Sequence, residues 1–354
     1  MAGGVGSRFW PLSRQDKPKQ FLDILGTGKS LLQMTFERFS DICPIENIYI
    51  VTSSNYKNTI KEQLPEITDE QILLEPVRRN TAPCIAYANY KILKRNPEAN
   101  IVTAPSDHLI LNEAKFKETV CNGLEFVSKK DALLTLGIKP SRPETGYGYI
   151  QVNEKNKTIE NKDIFKVKTF TEKPNRDLAK VFYESGEFFW NAGIFIWSLK
   201  SIIKAFDNYL PEVNNLFKEG IDLYNTKDED KFISQVYSES KNISIDYAIM
   251  EKAENVFVYC SNFGWADLGT WGSLYENRKK DHNNNSIIGQ NVFTYNTKDC
   301  IVDIPKDKLV VLQGLENYIV VESDNILLIC KKENEQDIKH YVNEIKLKSG
   351  DKFL

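Results

Sequence analysis

The stretch APCIAYANYKILKRNPEANIVTAPSDH, residues 82–108, contains two kinds of hydrophobic pattern. Its first half, 82–95, places apolar residues at helical spacing, whereas ANIVTAPSDH (99–108) is a short apolar run that ends in turn residues. A helix followed by a strand over this distance is the repeating unit of an α/β protein. The stretch therefore predicts a sheet with helices packed on its faces.

The same alternation continues on both sides of this stretch. Further predicted strands are NIYIVTS (47–53), QILLEP (71–76) and ALLTLGI (132–138), and further predicted helices are LLQMTFERF (31–39) and FKETVCNGLEFVSK (116–129). Strands separated by helices of this length predict βαβ units. We therefore expect an α/β fold with a doubly wound, mostly parallel, Rossmann-like sheet.

The pattern changes near residue 280. Short strand-like runs fill residues 287–332 without a helical segment between them, and ENEQDIKHYVNEIKLK (333–348) has the polar amphipathic pattern of a closing helix. We therefore expect an α/β domain over residues 1–280 and a small all-β element with a terminal helix over 281–354.

Composition limits the partners and the location. The 354 residues carry a net charge of −3, which gives no overall field for nucleic acid or an anionic membrane. The six cysteines occur singly, without a CxxC pair, which indicates reduced thiols rather than a disulfide framework or a zinc site. We found neither a signal peptide nor an 18-residue apolar run. These features predict a cytoplasmic protein with no nucleic-acid or membrane partner, and a homo-oligomer remains open.

The chain opens with MAGGVGSRFWPLSRQDKPKQFL, residues 1–22, a glycine cluster followed by basic residues. Glycines expose backbone N–H groups, and Arg8 and Lys19 supply positive charge, a combination that suits a triphosphate. A dinucleotide fingerprint would require a third glycine where Phe9 stands, which disfavours a dehydrogenase. The alternative to a phosphate site is an ordinary basic surface loop.

Three acidic residues follow or interrupt apolar segments. Asp107 comes at the end of a predicted strand, where ligands bind in open α/β sheets, and Asp267 lies in the apolar segment GWADLGTW (264–271). Two such carboxylates could hold Mg²⁺, which takes its remaining ligands from phosphate and water. Glu75 ends another strand before a helix for which Thr81 is the predicted N-cap. The Glu75 carboxylate could accept from the N1–H and N2–H₂ donors of guanine.

Polar and aromatic groups recur in the second half of the chain. Tyr147 and Gly148 lie in ETGYGYI, Glu172 and Lys173 in FTEKP, and Asn191 in WNAGIF. Acidic, amide and aromatic side chains suit the hydroxyls and faces of a sugar, although each of these segments could equally be loop structure.

Taken together, these segments resemble the sugar-1-phosphate nucleotidyltransferases, and most closely the mannose-1-phosphate guanylyltransferases among them. The motifs that carry the resemblance span roughly residues 1–275: AGGVGSRFWPLSR…KPKQF, EPVRRNTAP, APSDH, ETGYGYI, FTEKP, WNAGIF, DYAIME and GWADLGTW. The resemblance implies an enzyme that transfers GMP from GTP to α-D-mannose 1-phosphate, giving GDP-mannose and pyrophosphate, with Mg²⁺ as the cofactor.

The resemblance also implies a role for individual residues, by their position in the motifs. The implied catalytic residues are Arg8, Lys19 and Asp107, and the implied metal ligands are Asp107 and Asp267. The implied nucleotide-binding residues are Ala2, Gly3, Gly4, Gly6, Ser7, Glu75, Asn80, Thr81 and Ser106. The implied sugar-phosphate-binding residues are Tyr147, Gly148, Glu172, Lys173, Asn191 and Gly193.

Two functional alternatives stay open: a different nucleotide and sugar 1-phosphate, or a regulatory protein that binds a nucleotide sugar without catalysis. The resemblance further places an apolar strand immediately before Ala2, so we expect this strand to be missing and the chain as given to fold poorly or to bind GTP weakly. The chain lacks the histidines of the cupin-type isomerase domain found in longer relatives, which predicts a monofunctional enzyme.

Overall fold

The computed structural model describes residues 1–4, 6–157 and 163–354, so Val5 of the glycine-rich motif lies outside the described residues. The chain divides into two compact units, each assembled from segments that are distant in sequence. The first unit contains Met1–Gly3, Phe36–Ser106 and Ile110–Trp265, and the second contains Gly4–Thr35, Asp107–Leu109 and Ala266–Leu354. The boundary near residue 280 between an α/β domain and a C-terminal β element stays a prediction.

Ten α-helices are found in the described residues. They are α1 Leu31–Ser40, α2 Lys57–Gln63, α3 Thr81–Arg95, α4 Glu113–Lys129, α5 Arg176–Ser185, α6 Leu199–Tyr209, α7 Pro211–Glu219, α8 Glu229–Glu239, α9 Trp271–Asn277 and α10 Ile338–Ser349. Single turns of 3₁₀-helix at Ser7–Phe9 and Lys19–Phe21 and a π-helical turn at Asp246–Met250 matter for the site. No described helix combines the length and the apolar character that crossing a bilayer demands.

The same residues contain sixteen strands. They are β1 Ile50–Ser53, β2 Ile72–Glu75, β3 Asn100–Thr103, β4 Leu109–Ile110, β5 Leu133–Ile138, β6 Tyr149–Lys157, β7 Ile164–Thr171, β8 Phe188–Ser198, β9 Val256–Cys260, β10 Trp265–Ala266, β11 Ser286–Ile288, β12 Asn291–Tyr295, β13 Ile301–Asp303, β14 Leu309–Gln313, β15 Tyr318–Ser323 and β16 Ile326–Lys331. Every strand and helix predicted around residues 82–108 is confirmed, with ends that differ by a few residues.

The first unit is built on a six-stranded sheet with the order β3-β8-β5-β9-β7-β6, beside the parallel pair β1–β2. Its side chains alternate between two buried layers: Leu133 and Val256 point to one core, and Leu134 and Phe257 to the other. Helix α4 contributes Phe116 to the second core. This arrangement confirms the α/β layers that the sequence predicts.

The sheet is less parallel than the prediction. Strands β5 and β9 pair in parallel, whereas β8 runs antiparallel to β3, β5 and β6, and β7 runs antiparallel to β6 and β9. The reason is that β8 enters the sheet between β3 and β5, so those two strands share a direction without being neighbours. The sequence pattern reveals strands and crossovers but not this insertion.

The start of the chain is held by hydrogen bonds on two sides within the first unit. The N–H of Ala2 donates to the Val51 carbonyl at 2.8 Å, and the Thr52 hydroxyl donates to the Ala2 carbonyl at 2.9 Å. Met1 donates to the Ala104 carbonyl at 2.9 Å and accepts from the N–H of Ser106 at 3.0 Å. These bonds fix the backbone that enters the glycine-rich loop. The strand expected before Ala2 stays a prediction.

The second unit confirms the predicted C-terminal β element with its closing helix. Strands β11, β13 and β15 pair in parallel, β16 runs antiparallel to β15, and β12 pairs in parallel with β14. Val302, Leu312 and Val320 belong to one core between these strands. A separate core joins Ile319 and Val321 to Phe9 and Trp10, so the glycine-rich loop leads directly into residues packed on the C-terminal element.

Candidate active site

Gly6 fixes the turn of the glycine-rich loop in the second unit. Its φ angle is +75°, a conformation that side chains other than glycine rarely adopt. A Cβ atom at this position would lie 2.7 Å from Cβ of Lys19, so any larger residue would displace the lysine. The glycine at this position is therefore required by the close approach of Lys19.

Lys19 is 4% exposed, and its ammonium group meets three oxygen atoms. Nζ lies 2.8 Å from Oδ2 of Asp107, and it donates to the carbonyls of Asp267 at 2.8 Å and Leu268 at 3.0 Å. We call Lys19, Asp107, Asp267 and Leu268 the lysine centre. An ammonium has three hydrogens, so the donor capacity of Lys19 is filled.

The lysine centre controls the ionisation of Asp107. Burial alone would raise the pKa of the Asp107 carboxyl, but the positive charges of Lys19 and His108 outweigh burial and hold this pKa below its ordinary value. Oδ1 of Asp267 accepts from the N–H of Gly269 at 2.9 Å, which fixes that carboxylate on its loop. The two predicted metal ligands thus meet around one lysine, and Asp107 is held as an anion.

The remaining cations of the loop divide into paired and unpaired side chains. Arg14 forms an ion pair with Asp324 in the turn between β15 and β16, and Nζ of Lys17 lies 2.7 Å from the same carboxylate. Arg8, on the 3₁₀ turn Ser7–Phe9, has a buried Nε without a hydrogen-bond partner among the described residues. Within the same described residues, the Nε of Arg14 also lacks a hydrogen-bond partner, but the charge of Arg14 is balanced by Asp324. Arg8, which forms no ion pair among the described residues, therefore has both charge and hydrogen-bonding capacity left for a ligand.

Glu75, at the end of β2 in the first unit, is buried beside an unpredicted partner. The Tyr237 hydroxyl donates to Oε1 of Glu75 at 3.1 Å, and a Cβ atom at Gly3 would lie 3.4 Å from Oε2. Burial raises the pKa of Glu75 to about 7, against the opposing effects of Tyr237 and nearby positive charge. The nearby helix α3 is capped by Asn80, whose Oδ1 accepts from the N–H of Thr81 at 3.0 Å.

The expected N-cap at Thr81 is therefore wrong by one residue. Thr81 is the first helical residue, and its hydroxyl accepts from the N–H of Ile245 at 2.9 Å. Asn80 adopts the cap position with φ of 67°, which asparagine tolerates better than threonine because its short side chain is not β-branched.

A second group of charged side chains lies elsewhere in the first unit. Glu172 and Lys173 form an ion pair, and Nδ2 of Asn191 donates to Oδ1 of Asp246 at 2.9 Å. A Cβ atom at Gly148 would lie 2.5 Å from Oε2 of Glu172, so a larger residue there would displace the Glu172 carboxylate. We call Glu172, Lys173, Asn191 and Asp246 the carboxylate centre.

The carboxylate centre has an excess of negative groups. Burial and the neighbouring Glu172 raise the pKa of Asp246 to about 7, against the opposing effect of Lys173. Asn191 is fixed by bonds to its Oδ1 from the Thr135 hydroxyl at 2.8 Å and from the N–H of Gly193 at 3.1 Å. Its amide therefore has one orientation, with the Nδ2 group directed to Asp246.

Aromatic rings surround Tyr147 in the same unit. The ring centroids of Trp190 and Trp265 each lie 5.1 Å from the Tyr147 centroid, in edge-to-face orientations. The guanidinium of Arg142 stacks at 5.5 Å from the Trp190 ring. Tyr147 thus stands on a rigid aromatic base beside Gly148.

The structure brings together most of the predicted side chains within each unit. Gly6, Lys19, Asp107 and Asp267 meet in the second unit, and Gly148, Glu172, Lys173, Asn191 and Gly193 meet in the first. Ser106 lies three residues beyond the end of β3 and is buried, Ser7 opens a 3₁₀ turn, and a Cβ atom at Gly4 would meet open space.

Sequence reasoning missed Asp246 and Tyr237 as members of these groups. Asp246 opens the π-helical turn of the DYAIME motif, and Tyr237 lies on α8. The motif was visible in the sequence, but its partner Asn191 is 55 residues away, and nothing local assigns the Asp246 carboxylate to it.

Comparison with known proteins decides the family. The nucleotidyl transferase model matches residues 1–284, and the model of the MannoseP isomerase/GMP-like beta-helix domain matches residues 290–345. The chain is 33% identical to mannose-1-phosphate guanylyltransferase 2 of Escherichia coli O157:H7, over 100% of this chain and 74% of that protein. The chain belongs to the mannose-1-phosphate guanylyltransferases of the nucleotidyl transferase family. The resemblance found in its sequence motifs is confirmed, and this family consists of enzymes.

Other relatives agree with this family. The mannose-1-phosphate guanylyltransferase of Salmonella montevideo is 36% identical, over 99% of this chain and 74% of the relative. The crystal structure of mannose-1-phosphate geranyltransferase from Thermus thermophilus matches with a TM-score of 0.86 and 29% identity, and it covers 98% of each chain. A mannose-6-phosphate isomerase structure from Helicobacter pylori matches at a TM-score of 0.59 and 24% identity, over 71% of this chain and 95% of that one, which shows the fold alone.

Proposed function

We propose that this chain transfers GMP from GTP to α-D-mannose 1-phosphate and releases pyrophosphate. The observation that carries the proposal is the lysine centre, because the buried ammonium of Lys19 holds the carboxylate of Asp107 and the backbone carbonyl of Asp267, the two predicted metal-binding residues. Nucleotidyl transfer depends on positioning and on stabilising phosphate charge, and both need such a preorganised charged group.

In this reaction an oxygen of the sugar phosphate attacks the α-phosphorus of GTP, the new P–O bond forms, and the bond to the β-phosphate oxygen breaks. The nucleophile is already an anion, so it needs no general base. Arg8 carries hydrogen-bonding capacity that the fold leaves unused, and we assign it to the charge that develops on the departing pyrophosphate. A Cβ atom at Gly4 would meet open space, which leaves the backbone of the loop accessible to phosphate oxygens.

Lys19 has a different task from Arg8 in this proposal. Its three hydrogens are already directed to Asp107, Asp267 and Leu268, so it orients the carboxylate of Asp107 and the loop that carries Asp267. When phosphates bind, an ammonium at this position also contributes positive charge near them. Lys19 is thus both a positioning residue for the aspartates and a counter-charge for the reaction.

Asp107 and Asp267 fit a divalent cation, and we assign Mg²⁺. Both offer carboxylate oxygens, the ligands that Mg²⁺ prefers, and the positive charge around Asp107 keeps it ionised. The described residues contain no group of three or more His, Cys, Asp or Glu arranged for a metal. An ion held by Asp107 and Asp267 would take its remaining ligands from substrate phosphate and water. Mg²⁺ held by these carboxylates would supply positive charge to balance the phosphate oxygens.

We assign the carboxylate centre and Tyr147 to mannose 1-phosphate. Carboxylate and amide oxygens accept from sugar hydroxyls, and the ammonium of Lys173, which is partly exposed, can meet the sugar phosphate. Glu75 is assigned to guanine, since a buried carboxylate accepts from two adjacent N–H groups, which uracil and thymine do not offer. Ala2, Gly3, Asn80, Thr81 and Ser106 remain proposed as supporting contacts for the nucleotide.

We also infer a cytoplasmic location, where GTP is available and thiols stay reduced, and all six cysteines are free. Whether the chain forms a homo-oligomer stays a prediction to be measured.

A pyrophosphate-release assay tests the proposed function. It crosses GTP, ATP, UTP and dTTP with several sugar 1-phosphates, with and without Mg²⁺. We expect the highest rate with GTP and mannose 1-phosphate, and dependence on the metal. A higher rate with another pair would contradict the substrate assignment, and the absence of release from every pair, in a folded protein, would favour a regulatory protein that only binds.

A further inference from the structure

Helix α10 of the C-terminal element packs on the glycine-rich loop inside the second unit. Ile338, its first residue, is fully buried in the same core as Phe9, Trp10 and Trp271. The indole Nε1 of Trp10 also donates to the carbonyl of Phe353 at 2.8 Å, just beyond this helix. The first turn of α10 is thereby fixed against the 3₁₀ turn Ser7–Phe9.

Lys339 follows Ile338 and is exposed, on a helix that contacts the 3₁₀ turn carrying Arg8. The charge of Arg8 is the largest influence on the pKa of Lys339 and lowers it, and burial acts in the same direction. Among the described residues, neither Arg8 nor Lys339 forms an ion pair with a carboxylate. Arg8 also keeps the buried Nε that lacks a partner.

Other basic residues of the loop and of α10, in contrast to Arg8 and Lys339, form ion pairs with carboxylates. Arg14 and Lys17 share the Asp324 carboxylate. Lys346, which lies closer to the C-terminal end of α10 than Lys339 does, forms an ion pair with Asp351 at 3.1 Å. Asp337, the N-cap of α10, and Glu335 precede Lys339, and among the described residues neither forms an ion pair with it. Glu335 accepts instead from the N–H of Gly272 at 2.7 Å. Two cations on elements that pack together, neither in an ion pair among the described residues, repel each other, and an anion bound between them removes that repulsion.

We propose that Lys339 acts with Arg8 as a phosphate-binding pair for the β- and γ-phosphates of the nucleotide, the part that leaves as pyrophosphate. The C-terminal element thus contributes a substrate-binding residue to the transferase reaction, besides packing against the loop. This inference rests on the proposed function, in which Arg8 meets the leaving phosphates. The ligand chemistry is that of a diphosphate or triphosphate, because two cations match more than one phosphate charge.

The test compares Lys339→Met with Lys339→Arg and with the control Lys348→Met. Lys348 is an exposed lysine of the same helix that forms no ion pair within the described part of the chain. We expect Lys339→Met to lower kcat/KM for GTP by about 10- to 100-fold, the usual range for one charge-assisted hydrogen bond. The KM for mannose 1-phosphate should stay within about twofold. Lys339→Arg should restore most of the loss, and Lys348→Met should behave as the wild type.

A binding measurement separates this inference from the proposed function. Inorganic pyrophosphate is titrated onto each protein by calorimetry, without turnover, and Lys339→Met should bind it about 10-fold more weakly than the Lys348→Met control. An unchanged pyrophosphate affinity would overturn the inference even if the wild type is fully active. A loss that affects both substrates equally and lowers the melting temperature would also overturn it, since it indicates a structural role. If the wild type fails to transfer GMP but Lys339→Met binds pyrophosphate more weakly than the wild type does, the proposed reaction is wrong and the phosphate site is supported.

Discussion

The lysine centre and the carboxylate centre solve opposite electrostatic problems. In the first, one buried ammonium is surrounded by oxygens, and the pKa of Asp107 is lowered. In the second, two buried carboxyl groups share one lysine, and the pKa of Asp246 is raised to about 7. The comparison shows that the two groups differ in charge balance rather than in the number of charged residues, and this difference fits the roles we propose for them, phosphate and metal for the first and sugar hydroxyls for the second.

The largest expected effect comes from breaking the lysine centre. Lys19→Met keeps the length of the side chain but leaves the Asp107 carboxylate without its ammonium partner. We expect turnover to fall by about 10²- to 10³-fold, together with a loss of stability, because an unpaired carboxylate remains in a partly buried position. Pyrophosphate release and a urea unfolding curve measure the two effects. Near-wild-type release would contradict the assignment of this centre to catalysis.

Arg8 sharpens the same comparison because the fold does not use its guanidinium for an ion pair. Arg8→Gln should reduce kcat/KM for GTP by about 10²-fold while the free energy of unfolding stays within about 0.5 kcal/mol of the wild type. The stability of Lys19→Met serves as the reference. If Arg8→Gln destabilised the chain as much as Lys19→Met does, Arg8 would be a structural cation and the phosphate assignment would lose its basis.

A substitution of Glu75 tests whether this buried carboxylate, which lies outside both centres, recognises the guanine base of GTP. Glu75→Gln keeps the shape but replaces one acceptor by an amide donor, so the ratio of kcat/KM for GTP to that for ATP should fall by about 10-fold. Tyr237→Phe is the control, since it removes the hydroxyl that bonds Oε1 and leaves the carboxylate. If Glu75→Gln and Tyr237→Phe changed the ratio of kcat/KM for GTP to that for ATP by the same factor, Glu75 would act through packing alone.

The smallest expected effect is a pH dependence of stability from the carboxylate centre. The pKa of Asp246 is about 7 in the folded chain and lies near its ordinary, lower value when unfolded, so the folded state binds the extra proton between these values. Stability from this group is present at low pH and is lost as the pH rises through 7. Between pH 5 and 8 the wild type should lose on the order of 1–3 kcal/mol relative to Asp246→Asn, which carries no titrating group.

Urea unfolding at both pH values measures this difference, with Asp228→Asn, an exposed carboxyl on the N-terminal side of α8, as the control. Parallel pH profiles for wild type and Asp246→Asn would show that Asp246 does not take up the proton. The two centres would then not differ in the way that they shift the pKa values of their carboxyl groups.

The sequence predicts the elements of this chain better than their contacts. The helical spacing of apolar residues locates α4, and a short continuous apolar run locates β5, which is buried at every position. It does not reveal that β8 enters between β3 and β5, or that Phe9 shares a core with Ile319, because such pairing is set by surfaces distant in sequence. The glycine-rich loop thus belongs by contact to the C-terminal element.

The candidate site shows the same division. The motifs named Lys19, Asp107 and Asn191, but the filling of all three donors of Lys19 depends on Asp267 and Leu268, which lie 248 and 249 residues away. The sequence does not assign Asp246 to the carboxylate centre, because its partner Asn191 is also distant in sequence. Lys339 lies outside every motif and is connected to the site only by the packing of α10 on the loop.

The division of labour between the two centres is tested most directly by the apparent KM values of both substrates in Arg8→Gln and Glu172→Gln. The account predicts that Arg8→Gln raises the KM for GTP about 10-fold or more and leaves that for mannose 1-phosphate within about twofold, and that Glu172→Gln does the reverse. If either variant raised both KM values to the same extent, the two centres would not bind separate substrates, and the account would be contradicted.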